Sequence, residues 1–283
     1  SVRIALVGLC SGRSAEKNLA EVERLVRAAA AGGARYVQTP ENTLVMDEDR
    51  DRLFDAAAPP GPDNPLNGRF AALAAELGIV LHIGSVATRL AQDRLANRSL
   101  LFTPDGRLAA SYDKIHLFDV DLPGGESYRE SQRFAAGDEA VVVELPFGRL
   151  GLSVCYDLRF AALYRTLAKA GAGFLAVPSA FTRQTGEAHW EMLLRARAIE
   201  TGSFVLAAAQ GGRHENGRET WGRSLAVSPW GDVIAMGEGG PGVVLADLDP
   251  AMIAAARRAI PALAHDRAFT VARVRRAPLE AAS

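Results

Sequence analysis

Leu150-Gly151-Leu152-Ser153-Val154-Cys155-Tyr156-Asp157-Leu158-Arg159-Phe160 is an apolar run that stops at a cysteine and gives way to helical spacing two or three residues later. Such a strand-to-helix junction exposes a side chain at the carboxyl edge of a sheet, where α/β proteins build their sites. It also sets the thiol near a helix N-terminus, whose partial positive charge is expected to favour a thiolate. A free thiol titrates near about 8.5, so a reactive one at neutral pH needs such help. An isolated cysteine is more often a small buried core residue. Whether Cys155 is a nucleophile therefore depends on its partners.

Outward from this junction, strand and helix patterns alternate. Val2–Leu9 reads as an apolar strand, and Ala15–Ala31 as a helix with Leu19, Val22, Val26 and Ala29 on one face and Gly32-Gly33 at its end. Tyr36–Thr39 is a short strand running into Pro40-Glu41-Asn42. Phe70, Leu73, Ala74 and Leu77 mark a second helix, closed by Gly78, before a strand over Ile79–Ala87. Pro104-Asp105-Gly106 and Pro146-Phe147-Gly148 are hairpin turns, each between two strand-like runs. Residues 115–138 read as a long irregular loop. Helices are expected over Leu158–Ala170 and Glu187–Thr201, with strands at Phe174–Val177 and Val205–Ala209. Three more strands follow, at Ser224–Ser228, Val233–Met236 and Val243–Asp247, and Asp249-Pro250 starts a last helix. Alternation implies an α/β fold, and the hairpins imply mixed rather than purely parallel sheets. With no repeat and no linker, one domain over residues 1–283 is expected, its charged, then Ala-rich tail from about Arg267 packing on a partner subunit or lying loose.

Bulk properties exclude several classes. Hydrophobic residues make up 48% and charged residues 23% of the 283 positions, which affords a sizeable core. With 32 basic against 33 acidic residues, neither a nucleic-acid nor a membrane partner is expected. No apolar stretch is long enough to span a bilayer. Ser1-Val2-Arg3-Ile4 runs straight into a strand pattern, so no secretory leader is expected. Cys10 and Cys155 are too few for a disulfide framework, which points to a reducing, cytoplasmic setting. The five histidines lack metal-ligand spacing, and the glycines at 237–242 lack the Lys-Ser/Thr of a phosphate loop. No metal and no cofactor is expected. Gly151-Leu152-Ser153-Val154-Cys155 has cysteine where a serine-hydrolase elbow needs its last glycine.

Two further residues sit at strand ends. Glu41 follows Thr39-Pro40, and a carboxylate fixed there is a candidate general base with a raised pKa, or else a cap or surface acid. Lys114 ends Ser111-Tyr112-Asp113-Lys114 and is a candidate for holding an oxyanion, or else a surface lysine. His116, two residues on, suggests a Cys-His pair but equally a residue that orders the loop. Cys10 is followed by a Ser/Gly turn with no charged partner in reach along the chain, and reads as structural.

Together, Thr39-Pro40-Glu41-Asn42, Tyr112-Asp113-Lys114-Ile115-His116-Leu117-Phe118 and Val154-Cys155-Tyr156-Asp157-Leu158-Arg159-Phe160 resemble, in order and spacing, the three motifs of the nitrilase superfamily of carbon–nitrogen hydrolases. The resemblance covers roughly Val2 to Arg267. It implies a four-layer α-β-β-α sandwich that pairs into a homodimer or a higher homo-oligomer. It implies that Cys155 attacks a small carboxamide and forms a thioester, releasing a carboxylate and ammonia. Glu41 would carry the protons, Lys114 and the Tyr156 N–H would hold the oxyanion, and Glu130 would support the lysine, with Glu126 its nearby competitor. Phe118-Asp119-Val120-Asp121 and Pro178-Ser179-Ala180-Phe181 look like the Nit-type amidases. Ala208-Ala209-Gln210-Gly211-Gly212-Arg213-His214 looks more like the deaminated-glutathione amidases than like the ω-amidases of α-ketoglutaramate or α-ketosuccinamate. Phe160-Ala161-Ala162 and Thr182-Arg183-Gln184 depart from the family pattern, and the second borders the expected pocket.

A substrate carboxylate would need a cation, and Arg159, Arg183 and Arg213 are the candidates. Tyr156, Phe118, Ser179 and Phe181 are expected to line the pocket, whereas Trp190 falls on a helical apolar stripe with Leu193 and Leu194. A nitrilase acting on nitriles and a catalytically silent scaffold of the same fold are the remaining alternatives. The loop motifs disfavour the first, and the presence of Glu41, Lys114 and Cys155 together disfavours the second.

Overall fold

A computed structural model describes residues 1–61, 63–90 and 94–273. In chain order its elements are β1 (Val2–Gly8), α1 (Ala15–Ala31), β2 (Tyr36–Gln38), α2 (Arg50–Ala56), α3 (Pro65–Leu77), β3 (Val80–Arg89), β4 (Leu95–Phe102) and β5 (Leu108–Asp113). There follow β6 (Asp119–Asp121), β7 (Ser127–Arg129), β8 (Phe134–Ala135), β9 (Val142–Leu145), β10 (Gly148–Leu152), α4 (Ala161–Lys169), β11 (Phe174–Ala176) and α5 (Arg183–Thr201). The chain ends with β12 (Phe204–Ala207), β13 (Gly211–Arg213), β14 (Glu219–Trp221), β15 (Leu225–Val227), β16 (Val233–Met236), β17 (Gly242–Leu248) and α6 (Ala251–Ala259).

Two sheets carry the fold. One runs β17-β1-β2-β3-β4-β5, with β8 beside β4, and the other runs β16-β15-β12-β11-β10-β9. Each has three parallel strands at its centre, β1-β2-β3 and β10-β11-β12, with antiparallel strands outside them. The parallel triples need crossover helices, and the antiparallel flanks need only hairpins.

Side-chain alternation along β1 sorts the layers. Ile4 and Leu6 join the core shared with Leu150, Leu152, Phe174 and Val205 of the second sheet. Ala5 and Val7 join Leu19, Val22, Val26 and Phe70 under α1 and α3. Trp190, Leu194 and Ala198 of α5, with Leu163 and Leu167 of α4, cover the second sheet. The result is the four-layer α-β-β-α sandwich with mixed sheets. Each fully buried Leu, Ile or Val contributes about 1.5–3 kcal/mol, so a one-residue slip of β1, which would exchange the two sets, is strongly disfavoured.

Several helix boundaries follow from capping. The Ser14 side chain accepts from the Lys17 N–H, and Pro65 begins α3 behind Asn64, whose side chain accepts from the Asn67 N–H. Gly78 ends α3 in the left-handed region at φ 62°. Helix α5 starts at Arg183, four residues before the expected Glu187, because the buried Thr182 side chain caps the Thr185 N–H. The expected helix after Cys155 is divided. A 3-10 turn, Cys155–Arg159, comes first, and α4 starts only at Ala161.

Residues 115–138, expected to be irregular, contain the β6–β7 hairpin, a short 3-10 turn and β8. That hairpin is polar and only three residues per strand, so no apolar alternation announces it. It is held by Arg129 on Asp121 and by Ser131 on Asp119. The exposed tail segment up to residue 273 includes Phe269 and Val271, and the rest of the expected partner-packing tail lies outside the described residues.

Candidate active site

Glu41, Lys114 and Cys155 all follow the carboxyl ends of strands. Glu41 lies three residues past β2, Lys114 directly follows β5, and Cys155 lies three residues past β10. The Glu41 turn is clamped on β3: the Asn42 N–H donates to Ser85 Oγ and the Thr43 N–H to the Ser85 carbonyl. Asn42 has φ 54°, which asparagine tolerates better than most residues. Gly84 permits this approach. A Cβ there would stand 2.1 Å from the Thr39 carbonyl oxygen and 2.5 Å from Pro178 Cβ.

Cys155 itself has φ 49°, and its N–H donates to the Pro178 carbonyl at 2.9 Å. A non-glycine residue held there costs on the order of 1–3 kcal/mol. Asp157, fully buried, ties this turn to the Lys114 strand end. It accepts from Tyr112 Oη at 2.6 Å, from the His116 N–H at 3.0 Å and from the Val154 N–H at 2.8 Å. The His116 ring lies 2.7 Å from the same carboxyl and stacks on Phe160 at 3.5 Å. His116 thus orders the loop and faces Asp157.

The three side chains meet in a buried pocket floor. Glu41 is 3% exposed, Lys114 1%, Cys155 6% and Glu130 8%, so their charges interact with little screening. Lys114 Nζ donates to Glu41 Oε1 at 2.7 Å and to Glu130 Oε2 at 2.8 Å. Asn97 Nδ2 donates to both glutamates at 3.0 Å, a participant that the sequence reading missed. Glu130 also accepts from the Phe118 N–H. Glu126, the competitor, lies outside this cluster and accepts from Tyr128 Oη.

Burial pushes the Glu41 pKa up, but the Lys114 charge and hydrogen bond outweigh it and leave the carboxyl below its ordinary value. This reverses the raised pKa expected from the sequence. Burial pulls Lys114 down, and the carboxylates of Glu130 and Glu41 outweigh that and hold it raised. Burial and then the Glu41 charge push the Cys155 thiol up. The expectation of a thiolate stabilised by a helix end is therefore corrected. The resting arrangement is a neutral thiol hydrogen-bonded to an ionised carboxylate, beside an ammonium. Such a set can deprotonate a thiol as it attacks and stabilise an anionic oxygen next to the lysine.

Above this floor, Phe118, Tyr156, Arg159 and Phe181 line the slot. Arg159 lies over the Phe181 ring and beside His189. Ser179 is a correction: it is fully buried, its hydroxyl donates to the Val177 carbonyl, and it does not reach the slot. Arg183 and Arg213 lie in an outer basin rather than in the slot. Arg183 there meets Glu219 at 3.3 Å. Trp190 is core, donating to the Arg223 carbonyl. Cys10, half-buried, lies 3.8 Å from His214. Arg218 and Tyr128, which nothing in the local sequence singled out, line both slot and basin.

The family profile described as carbon-nitrogen hydrolase matches residues 3–258. The chain belongs to the carbon-nitrogen hydrolase family. This hydrolase is 40% identical over 270 residues to the deaminated glutathione amidase of Yersinia enterocolitica, covering 94% of this chain and 93% of that protein. It is 39% identical over 276 residues to the Homo sapiens protein of the same description, covering 94% and 84% of the two. Among solved structures, the C. elegans NitFhit protein matches the hydrolase with a TM-score of 0.88 and 36% identity over 94% of this chain. The hydrolase spans 65% of that longer chain.

Proposed function

We propose that this amide hydrolase cleaves deaminated glutathione, with Cys155 as nucleophile, Glu41 as proton carrier, Lys114 as oxyanion partner and Glu130 as the group that holds Lys114. The observation that carries the reading is the buried contact of Lys114 with both glutamates beside a neutral thiol bonded to Glu41. As the sulfur attacks the carbonyl carbon, its proton passes to Glu41 and the oxygen becomes anionic next to Lys114 and the Tyr156 N–H. The carbon–nitrogen bond then breaks and the leaving nitrogen takes the proton from Glu41. Water attacks the thioester, gives its proton to Glu41, and the thiol is restored. In deaminated glutathione the cleaved amide is secondary. The leaving group is then cysteinylglycine, whereas the ammonia expected from the sequence belongs to primary carboxamides. Arg159, which lines the slot, is the cation assigned to the carboxylate of the oxo-acid arm.

The relatives described as deaminated glutathione amidases support this substrate. The test is kcat/KM for deaminated glutathione and for α-ketoglutaramate, read as 2-oxoglutarate release. A higher value for deaminated glutathione is expected, and a higher one for α-ketoglutaramate would replace the substrate assignment with the ω-amidase reading.

We infer a cytoplasmic setting from two free cysteines, Cys10 and Cys155. No helix among the described residues is long and apolar enough to cross a membrane. We also infer a homodimer, supported by the exposed Met192 and Ile199 on α5 and by exposed Trp230. Light scattering that gives the mass of a single chain would contradict it.

A further inference from the structure

The slot above Cys155 has a volume of about 50 Å³, and the basin outside it about 690 Å³. Glu48, Tyr128 and Arg218 belong to both linings and so form the neck between them. A thioester mechanism fixes which half of a substrate belongs where. The acyl half stays bonded to sulfur after the first step, while the amine half must leave before water can attack. The amine half therefore lies on the open side, in the basin, and the acyl half in the slot.

The cations of the basin differ in what they are already doing. Arg183 is paired with Glu219. Arg218 is half-buried and held in place: one Nη donates to the Ala180 carbonyl at 2.6 Å, and the guanidinium lies over the Tyr128 ring at 5.0 Å. Yet its Nε is buried without a hydrogen-bond partner, and among the described residues no carboxylate pairs with it. A buried donor left unpaired costs about 1–3 kcal/mol, more when charged, so the guanidinium is oriented yet under-satisfied, and its other Nη makes no hydrogen bond among the described residues. Arg213 lines the same basin, exposed and likewise without an ion-pair partner among the described residues. Of the four glutamates that line the basin, Glu219 is occupied by Arg183 and Glu126 by Tyr128, while Glu48 and Glu187 stand among the arginines Arg183, Arg213 and Arg218.

We propose that Arg218, assisted by Arg213, receives a carboxylate carried on the amine half of the substrate, so that this enzyme selects amides of acidic amines, such as the amide of a dipeptide with a free C-terminus. This rests on the thioester reading above, and it goes further by assigning the leaving-group subsite. It also distinguishes the two substrate classes, because a primary amide has no amine half to place in the basin.

The experiment compares kcat/KM for 2-oxoglutaryl amides of cysteinylglycine and of its methyl ester, in the wild-type enzyme and in Arg218→Gln, Arg218→Lys and Arg213→Gln. A second pair varies the carboxylate of the acyl arm, as free acid and as ester. The wild type should prefer the free acid on the amine arm by about 10- to 100-fold, the range of a hydrogen bond to a charged group. Arg218→Gln should bring that ratio close to one, mainly through KM, while Arg218→Lys keeps part of it and Arg213→Gln lowers it less. The preference on the acyl arm should not follow Arg218. Thermal melts check that each variant folds. Should Arg218→Gln fail to fold, the wild-type ratio and the Arg218→Lys and Arg213→Gln ratios decide. Equal turnover of acid and ester by the wild type overturns this inference while leaving the amidase reading intact. So does a ratio that Arg218 substitutions leave unchanged, or one that moves on the acyl arm instead. Turnover of none of the amides overturns both readings.

Discussion

The floor and the neck of this pocket are built on opposite principles. On the floor the charges are paired: Lys114 bonds both Glu41 and Glu130, Asn97 Nδ2 donates to both glutamates, and the thiol completes the set, with Asn97 Oδ1 left unbonded. At the neck and in the basin, Arg218 carries an unpaired buried Nε, Arg213 has no ion-pair partner among the described residues, and Arg183 is tied up by Glu219 in solvent. A closed, charge-paired floor suits chemistry that is the same for every amide. An open, under-paired neck suits recognition, because a ligand carboxylate can pair with the guanidinium charge that no carboxylate of the described residues meets. Substitutions on the floor should therefore act on turnover and stability, and those around the basin on substrate choice.

The largest effect belongs to Cys155→Ala. Removing the proposed nucleophile should cost on the order of 10⁶ in kcat, as in other covalent hydrolases, so 2-oxoglutarate release should vanish while circular dichroism and the thermal melt stay those of the folded protein. Next comes Glu41→Gln, which keeps shape but cannot take the proton. A fall in kcat of about 10²–10⁴ is expected from loss of general acid–base help, measured with substrate at saturation. A loss smaller than tenfold would assign the proton transfer elsewhere.

Gly84→Ala tests the packing behind the floor. The added Cβ must displace the Thr39 carbonyl or Pro178, so a loss of about 1–3 kcal/mol in urea unfolding is expected, with a fall in kcat as Glu41 moves. An unchanged urea midpoint would mean that the clamp on the Glu41 turn is looser than its geometry.

Behind the same floor, burial holds His82 down to about 3, between Tyr36 Oη at 2.7 Å and Ser99 Oγ at 2.6 Å. Its folded pKa lies below the unfolded value of 6.5, so the unfolded chain binds the extra proton and stability falls as pH drops from about 6.5 towards 3. At pH 5 this amounts to about 2 kcal/mol relative to pH 7. The urea midpoint of His82→Gln should change less over that range, and an equal pH slope in both proteins would remove His82 from the account. The smallest effect is at the basin rim: Arg183→Gln breaks an exposed ion pair and should shift stability by no more than about 0.5 kcal/mol.

The same contrast explains what the sequence made legible. Glu41, Lys114 and Cys155 each follow a strand end, so local pattern placed them, and Ala15–Ala31 announced itself by an apolar stripe closed by glycines. Asn97 and Arg218 carry no local signal. Asn97 lies within β4, and Arg218 reaches the neck only because the β13–β14 hairpin, too short and polar to read from alternation, folds over the Ala180 carbonyl. Ser179 misled because its motif flanks the pocket while its side chain turns into the chain behind it. The protonation states were misread for a related reason. Burial and the neighbouring charges, which only the fold brings together, set the signs of the Glu41 and Cys155 shifts.

The account depends most on a covalent bond to Cys155, and that bond can be weighed. Enzyme mixed with a secondary 2-oxo-acid amide and quenched in acid within milliseconds should carry the mass of the acyl arm on the peptide containing Cys155. In Glu41→Gln, where water is no longer activated, any adduct that forms should persist longer. Product formation with Cys155 unmodified throughout, or an adduct mapped to Cys10 or any other residue, would contradict it.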